Sequence, residues 1–126
     1  MSLESDLAKV RGLGSAKQGT HHFWHQRVTA IALIPLGLWF ITGLVCAMNG
    51  SYGDAIAWVA TPHVTVLLVA FIAALFYHMK LGLQTVIEDY FHVEWLKIAS
   101  VIGVSLGTAL CGLASIVAVL RISFGT

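Results

Sequence analysis

The sequence predicts an all-α membrane protein with three transmembrane helices, and three observations carry that expectation. Only 10% of the 126 residues are charged and 58% are hydrophobic, against about 25% charged in an ordinary soluble domain. The charges are also clustered: no Asp, Glu, Lys or Arg occurs from Val28 to Gly53, from Ala55 to Met79 or from Ile98 to Leu120. Each block exceeds the roughly 20 residues with which an α-helix crosses a bilayer's hydrocarbon core. Third, Lys and Arg are asymmetric: Lys9, Arg11, Lys17 and Arg27 precede the first block and Lys97 lies in the second loop, whereas Asn49 to Pro62 carries none. That bias puts the N-terminus in the cytoplasm and the C-terminus outside, with Arg121 the one contrary charge. In a mitochondrion, cytoplasm reads as matrix.

In chain order, residues 1–27 form a cytoplasmic arm and interfacial segment, and residues 28–126 a three-helix anchor with spans of about 28–48, 63–87 and 98–120. Ser2 to Val10 suits a short helix, with Ser2 as N-cap and Glu4 and Asp6 near its positive end, before Gly12 and Gly14 break the pattern. A solvated arm that orders against a partner accounts for the same residues. His21, His22, Phe23, Trp24, His25, Gln26 and Arg27 then crowd into the interface. They read either as membrane anchoring or as an anion or proton site with Arg27 as its fixed positive charge. With some 27 residues ahead of it, the first span is expected to remain in the mature protein rather than act as a signal peptide. Pro35 removes a helix hydrogen bond and frees the Ile31 carbonyl, so a bend is expected there, relieved by neighbours or by hydroxyls such as Thr29.

In the third span, Ser100, Gly103, Gly107 and Cys111 form one smooth stripe that permits close helix contact. Cys46 and Cys111 lack zinc or iron–sulfur spacing and read as small apolar fillers. The net charge of +1, with no basic stripe, gives no reason to expect nucleic acid. No phosphate loop or serine nucleophile with its base is present, so hydrolytic enzymes are poor candidates.

His78 is the residue that asks for chemistry. It sits in the second apolar run, about 16 Å along the helix from Asp89 and about 22 Å from His63, close to mid-membrane. At about 100° per residue, Asp89 returns to nearly the direction of His78, with Gly82 and Thr85 between them. An ionisable side chain at this depth is a functional-site hypothesis by default. A packing histidine bonded across helices, a proton relay, a zinc ligand and a haem axial ligand are the four roles open to it. The relay has no second ionisable group on this face before Asp89, and zinc has no further ligand at this depth. A haem needs one imidazole from each side and room for a flat macrocycle, which Gly82 would leave. His21, His22, His25 and His92 lie at one margin and His63 at the other, so a second histidine ligand must come from another subunit. Lys80 points about 200° away from His78 and snorkels toward the headgroups.

His78-x3-Gly82-x-Gln84-x-Val86-Ile87-x-Asp89-Tyr90, preceded by the His-rich interface and Arg27-Val28-Thr29-Ala30-Ile31, resembles the hydrophobic membrane anchor, the smaller of the two cytochrome b anchors, of succinate dehydrogenase, respiratory complex II. The resemblance covers roughly residues 21 to 95, and the length and helix layout agree over the rest. It implies a protein that is non-catalytic alone, paired in a bacterial or mitochondrial inner membrane with a second, cytochrome b556-type anchor. One haem b lies between the two anchors, beneath a flavoprotein and an iron–sulfur protein that carry the FAD and the iron–sulfur clusters. It further implies His78 as axial ligand of the haem iron, Arg27 near the haem propionates, and Tyr90 and Asp89 in the ubiquinone site. His21 resembles a family histidine near that rim, with His22 and His25 as competing alignments. A phenol can donate to a quinone oxygen and a neighbouring carboxylate can orient it or pass protons; otherwise Tyr90 and Asp89 cap the span at its interface. The haem acts as an electron sink or as glue between the anchors. A non-catalytic scaffold, or the cytochrome b anchor of another quinone-linked oxidoreductase such as fumarate reductase, accounts for the same residues.

Overall fold

A computed structural model describes residues 6–12 and 19–125. Ser2, Glu4, Gly14 and Lys17, which figure in the expectations for the arm, lie outside the described residues. The chain is all-α: α1 (Asp6–Val10), α2 (Gly19–Met48), α3 (Tyr52–Ala60), α4 (Pro62–Tyr90) and α5 (Glu94–Phe124). Three of these, α2, α4 and α5, are long and apolar enough to cross a membrane, as the charge-free blocks predict. Except where α2 stops at Met48 as expected, their ends run beyond the expected limits. α2 has 30 residues, about 45 Å at 1.5 Å per residue, which reaches through the headgroup regions as well as the hydrocarbon. The histidine-rich segment is therefore the first turns of the first span, and the helix continues through Pro35.

The loop between the first two spans holds a helix that charge patterning did not reveal. α3 starts with a capping box: Asp54 N–H donates to Ser51 Oγ (3.3 Å), and Ser51 N–H donates to Asp54 Oδ2 (2.8 Å). Two orphan donors of the helix start are thus satisfied reciprocally. The Ser51 hydroxyl also donates to Asp54 Oδ2 (2.7 Å), and this bond, with that from the Ser51 backbone, holds the Asp54 carboxyl below its usual range. The sign follows: the box contributes stability above the ordinary carboxylate pKa and loses it as pH falls through the lowered value. Pro62 occupies the start of α4, where its missing N–H costs nothing. Gly125 ends α5 in the left-handed conformation (φ 70°), its N–H donating to the Arg121 and Ile122 carbonyls.

α4 is the central helix. It packs against α2 on one side and α5 on the other, while α2 and α5 do not meet. α3 touches all three spans at the end where α4 begins. Phe40 of α2 stacks on Phe71 of α4 at 4.9 Å between centroids. The buried Thr65 hydroxyl lies 2.8 Å from Val59 O and 3.0 Å from Ser123 Oγ, so α4 is tied to both α3 and α5. In a medium without water such hydroxyls must find partners in the protein. Trp24, Tyr90 and Trp95 are exposed at one end of the bundle and Tyr52 at the other, as expected of aromatic belts at two interfaces.

A small residue sets the closest contact between α4 and α5. The α4·α5 contact closes at Gly112, where an added Cβ would come within 3.3 Å of Phe76. A Cβ on Gly103 or Gly107 would meet nothing within 4 Å, and Gly107 and Cys111 line a shallow apolar groove beside Phe76, Met79 and Leu83 of α4. Cys46 and Cys111 are exposed and fill no internal gap. The reason is azimuth: a stripe of small residues permits approach, but the neighbour's position selects which stripe is used. Lys80 lines a mainly apolar groove of about 400 Å³ between α4 and α5, together with Tyr77, Ser105 and Thr108. At Gly43 the indole of Trp58 occupies the space a Cβ would need. Gly43→Val is therefore expected to displace Trp58 and cost about 1–3 kcal/mol, read as a lower unfolding temperature in detergent.

Candidate functional site

α2 and α4 run antiparallel, so the first turns of α2 lie beside the last turns of α4. Both segments carry polar residues at helical spacing: His22, His25 and Thr29 on α2, and Tyr77, Gln84 and Glu88 with the adjacent His78 on α4. Set at multiples of three and four residues, each group forms one stripe, and the two stripes face each other. Thr29 Oγ1 is 2.9 Å from His78 Nδ1. The same Thr29 oxygen is 2.7 Å from the His25 carbonyl and 3.1 Å from that of Gln26. His25 Nδ1 and the Tyr77 hydroxyl are hydrogen-bonded at 2.8 Å.

His78 is half-buried, and among the described residues its Nε2 receives no hydrogen bond. The interhelical bond expected of a packing histidine is present, yet it accounts for only one of the two ring nitrogens. One turn along, a Cβ on Gly82 would meet nothing within 4 Å, so the chain leaves open space beside the imidazole. An imidazole with one nitrogen tied to the protein and the other free, next to a side-chain-free position, fits one axial ligand of a haem. Among the described residues no three His, Cys, Asp or Glu side chains gather as a metal cluster.

Toward the end of α4 the stripes part around a polar cavity of about 530 Å³, lined by His21, His22, His25, Tyr77, Gln84 and Glu88. Gln84 Nε2 donates to Glu88 Oε1 at 2.8 Å, and among the described residues His22 Nε2 is buried without a partner. His21 is thus brought beside His25 and Tyr77. Arg27 is placed differently. Its position is about 200° around α2 from Thr29, it is exposed, and its guanidinium carbon lies 4.9 Å from the centroid of the Phe23 ring. The charge is therefore offered to groups outside this chain.

Asp89 and Tyr90 close α4 and are exposed, Tyr90 by 76%. Among the described residues neither side chain makes a hydrogen bond. The face from His78 to Asp89 ends at the membrane rim, and at 1.5 Å per residue its two polar stations stand about 16 Å apart. Thr85 between them donates to its own helix at Leu81 O (3.0 Å) and links neither. Reading residues singly missed Thr29 as the partner of His78, and gave no site role to Tyr77, Gln84 or Glu88. The signal that would have found them is the pair of polar stripes at matching depth on consecutive spans.

A family model described as the succinate dehydrogenase/fumarate reductase transmembrane subunit matches residues 1–120. The chain is 38% identical over 116 residues to a Rickettsia bellii protein named succinate dehydrogenase hydrophobic membrane anchor subunit, covering 91% of this chain and 92% of that one. A Paracoccus denitrificans protein of the same name is 31% identical over 116 residues, with 92% and 89% covered. The succinate dehydrogenase membrane anchor subunit of Reclinomonas americana is 26% identical over 88 residues, with 68% and 73% covered. No solved structure matches. With three apolar spans, a polar site where the first two meet, and this agreement along nearly its whole length, the chain belongs to the succinate dehydrogenase/fumarate reductase transmembrane subunits, as a hydrophobic membrane anchor of succinate dehydrogenase.

Proposed function

We propose that this anchor supplies one axial ligand of a haem b and one wall of a ubiquinone-reducing site. The observation that carries the reading is His78, held through Nδ1 on the helix that ends in Asp89 and Tyr90, with its Nε2 and both of those side chains unbonded among the described residues. The second ligand comes from a cytochrome b556-type anchor, since the other histidines of the α2·α4 site line the rim cavity. A bound haem supplies a one-electron carrier at mid-membrane. Arg27, exposed and without an acidic partner among the described residues, pairs with the propionates. His21 belongs to the polar rim on the same side.

Quinone reduction takes up two electrons and two protons, so its headgroup belongs where a carrier is near and aqueous protons enter. Tyr90 meets this at the rim: its phenol donates to a quinone carbonyl oxygen and stabilises the charge that develops there. Asp89 beside it orients the ring or passes protons from water. Succinate oxidation takes place on the flavoprotein, and electrons arrive through the iron–sulfur protein. This anchor docks both at the cytoplasmic or matrix face of an inner membrane, where its N-terminus also lies.

Purification from membranes in mild detergent tests the assembly. A flavoprotein, an iron–sulfur protein and a second anchor are expected to copurify with a reducible b-type absorbance spectrum; a complex without haem would refute the ligand assignment. Gly82→Leu tests the space beside His78. Because this chain has room for the new side chain, its own fold is expected to persist while haem content falls severalfold, measured as haem absorbance per mole of complex. Full haem content in this variant would remove Gly82 from the site.

A further inference from the structure

We propose that Thr29 is the positioning residue of His78: its hydroxyl holds the imidazole in the tautomer with the proton on Nδ1, leaving the Nε2 lone pair for iron. The inference rests on the reading of His78 as an axial ligand and follows from counting protons. A threonine hydroxyl has one proton to donate and lone pairs to accept with. Thr29 Oγ1 stands 2.7 Å from the His25 carbonyl oxygen and 3.1 Å from that of Gln26. Two oxygens approach to 2.7 Å only when a proton lies between them, and the back-bond to the preceding turn is the usual use of a helical threonine proton. The Thr29 proton is thus committed to its own helix. At 2.9 Å from His78 Nδ1, the same oxygen can then only accept, and the proton of that bond belongs to the ring.

The arrangement has two consequences for a ligand. It selects one nitrogen, because a ring protonated on Nδ1 offers iron only Nε2. It also makes that nitrogen a stronger donor, because an N–H given to an oxygen acceptor raises the basicity of the rest of the ring. The adjacent phenol does not compete for the ring, since Tyr77 is engaged by His25. His25 serves the site twice, accepting the Thr29 proton on its carbonyl and bonding Tyr77 with its side chain.

Thr29→Val keeps the shape of the side chain and removes the acceptor. In the purified complex, haem retention against an excess of a haem-scavenging apoprotein is expected to fall on the order of 10–100-fold, the usual effect of losing such an outer partner. The haem midpoint potential is expected to move to more positive values, as a weaker donor favours the ferrous state. Thr29→Ser, which restores the hydroxyl, is expected to return both readings to those of the parent. A role in helix packing alone would leave the potential unmoved. Thr29→Ala, which adds no bulk to the contact, is expected to reproduce the shift. Unchanged retention and potential in both the Val and Ala variants would overturn the inference. Comparison with His78→Ala separates it from the ligand reading. Haem lost there but indifferent to Thr29 overturns the role of Thr29 alone, whereas haem kept there overturns both.

Discussion

His78→Ala is expected to strip the b-type haem from the complex, because the substitution removes the Nε2 lone pair and the described residues of this site hold no substitute ligand at that depth. His25 is bonded to Tyr77, and His21 and His22 line the rim cavity. The anchor itself is expected to remain folded. It loses one interhelical hydrogen bond, worth about 1–2 kcal/mol or less in a membrane protein, while Thr29 keeps its bond to the His25 carbonyl. The Phe40–Phe71 stack and the Gly112–Phe76 contact are untouched. The measurement is the dithionite-reduced minus oxidised spectrum of the purified complex, scaled to its flavin. Persistence of the b-type band would show that the iron is held elsewhere and return His78 to a packing role.

Tyr90→Phe is expected to lower succinate-to-ubiquinone turnover on the order of 10–100-fold while succinate oxidation by a soluble artificial acceptor is retained. A hydrogen bond to a charge developing on the quinone oxygen contributes about 1.5–3 kcal/mol, and each 1.4 kcal/mol or so is tenfold in rate. Tyr90 is 76% exposed and makes no bond within the described residues, so removing its hydroxyl disturbs no internal contact. A loss confined to the quinone reaction therefore reports on the site rather than on folding. Equal quinone turnover in the variant and the parent would leave Tyr90 as an interfacial aromatic only.

How much of this was legible in the sequence depends on which physical constraint speaks. The three spans were readable because charges are excluded from hydrocarbon and the helix rise converts a charge-free run into a length. That α2 already runs at Gly19 was not, because the constraint of apolarity ends at the interface while the helix does not. α3 was hidden because nine residues are too short for hydropathy to mark; its trace was the Ser51-x-x-Asp54 cap. The small-residue rule pointed to α5 but did not single out Gly112, the glycine at which α5 meets α4 within this chain.

The site divides along the same line. Sequence alone placed a histidine inside an apolar span, on the helix that ends in Asp89-Tyr90, because position along a helix is a sum of residues. Family resemblance supplied the roles. Only the tertiary structure decided that Thr29 meets Nδ1, that His25 pairs with Tyr77 and that Arg27 faces away from both. Those are relations of azimuth between helices, and packing around α4 sets them: a one-dimensional pattern carries depth, but it does not say which side of a helix its neighbour will occupy.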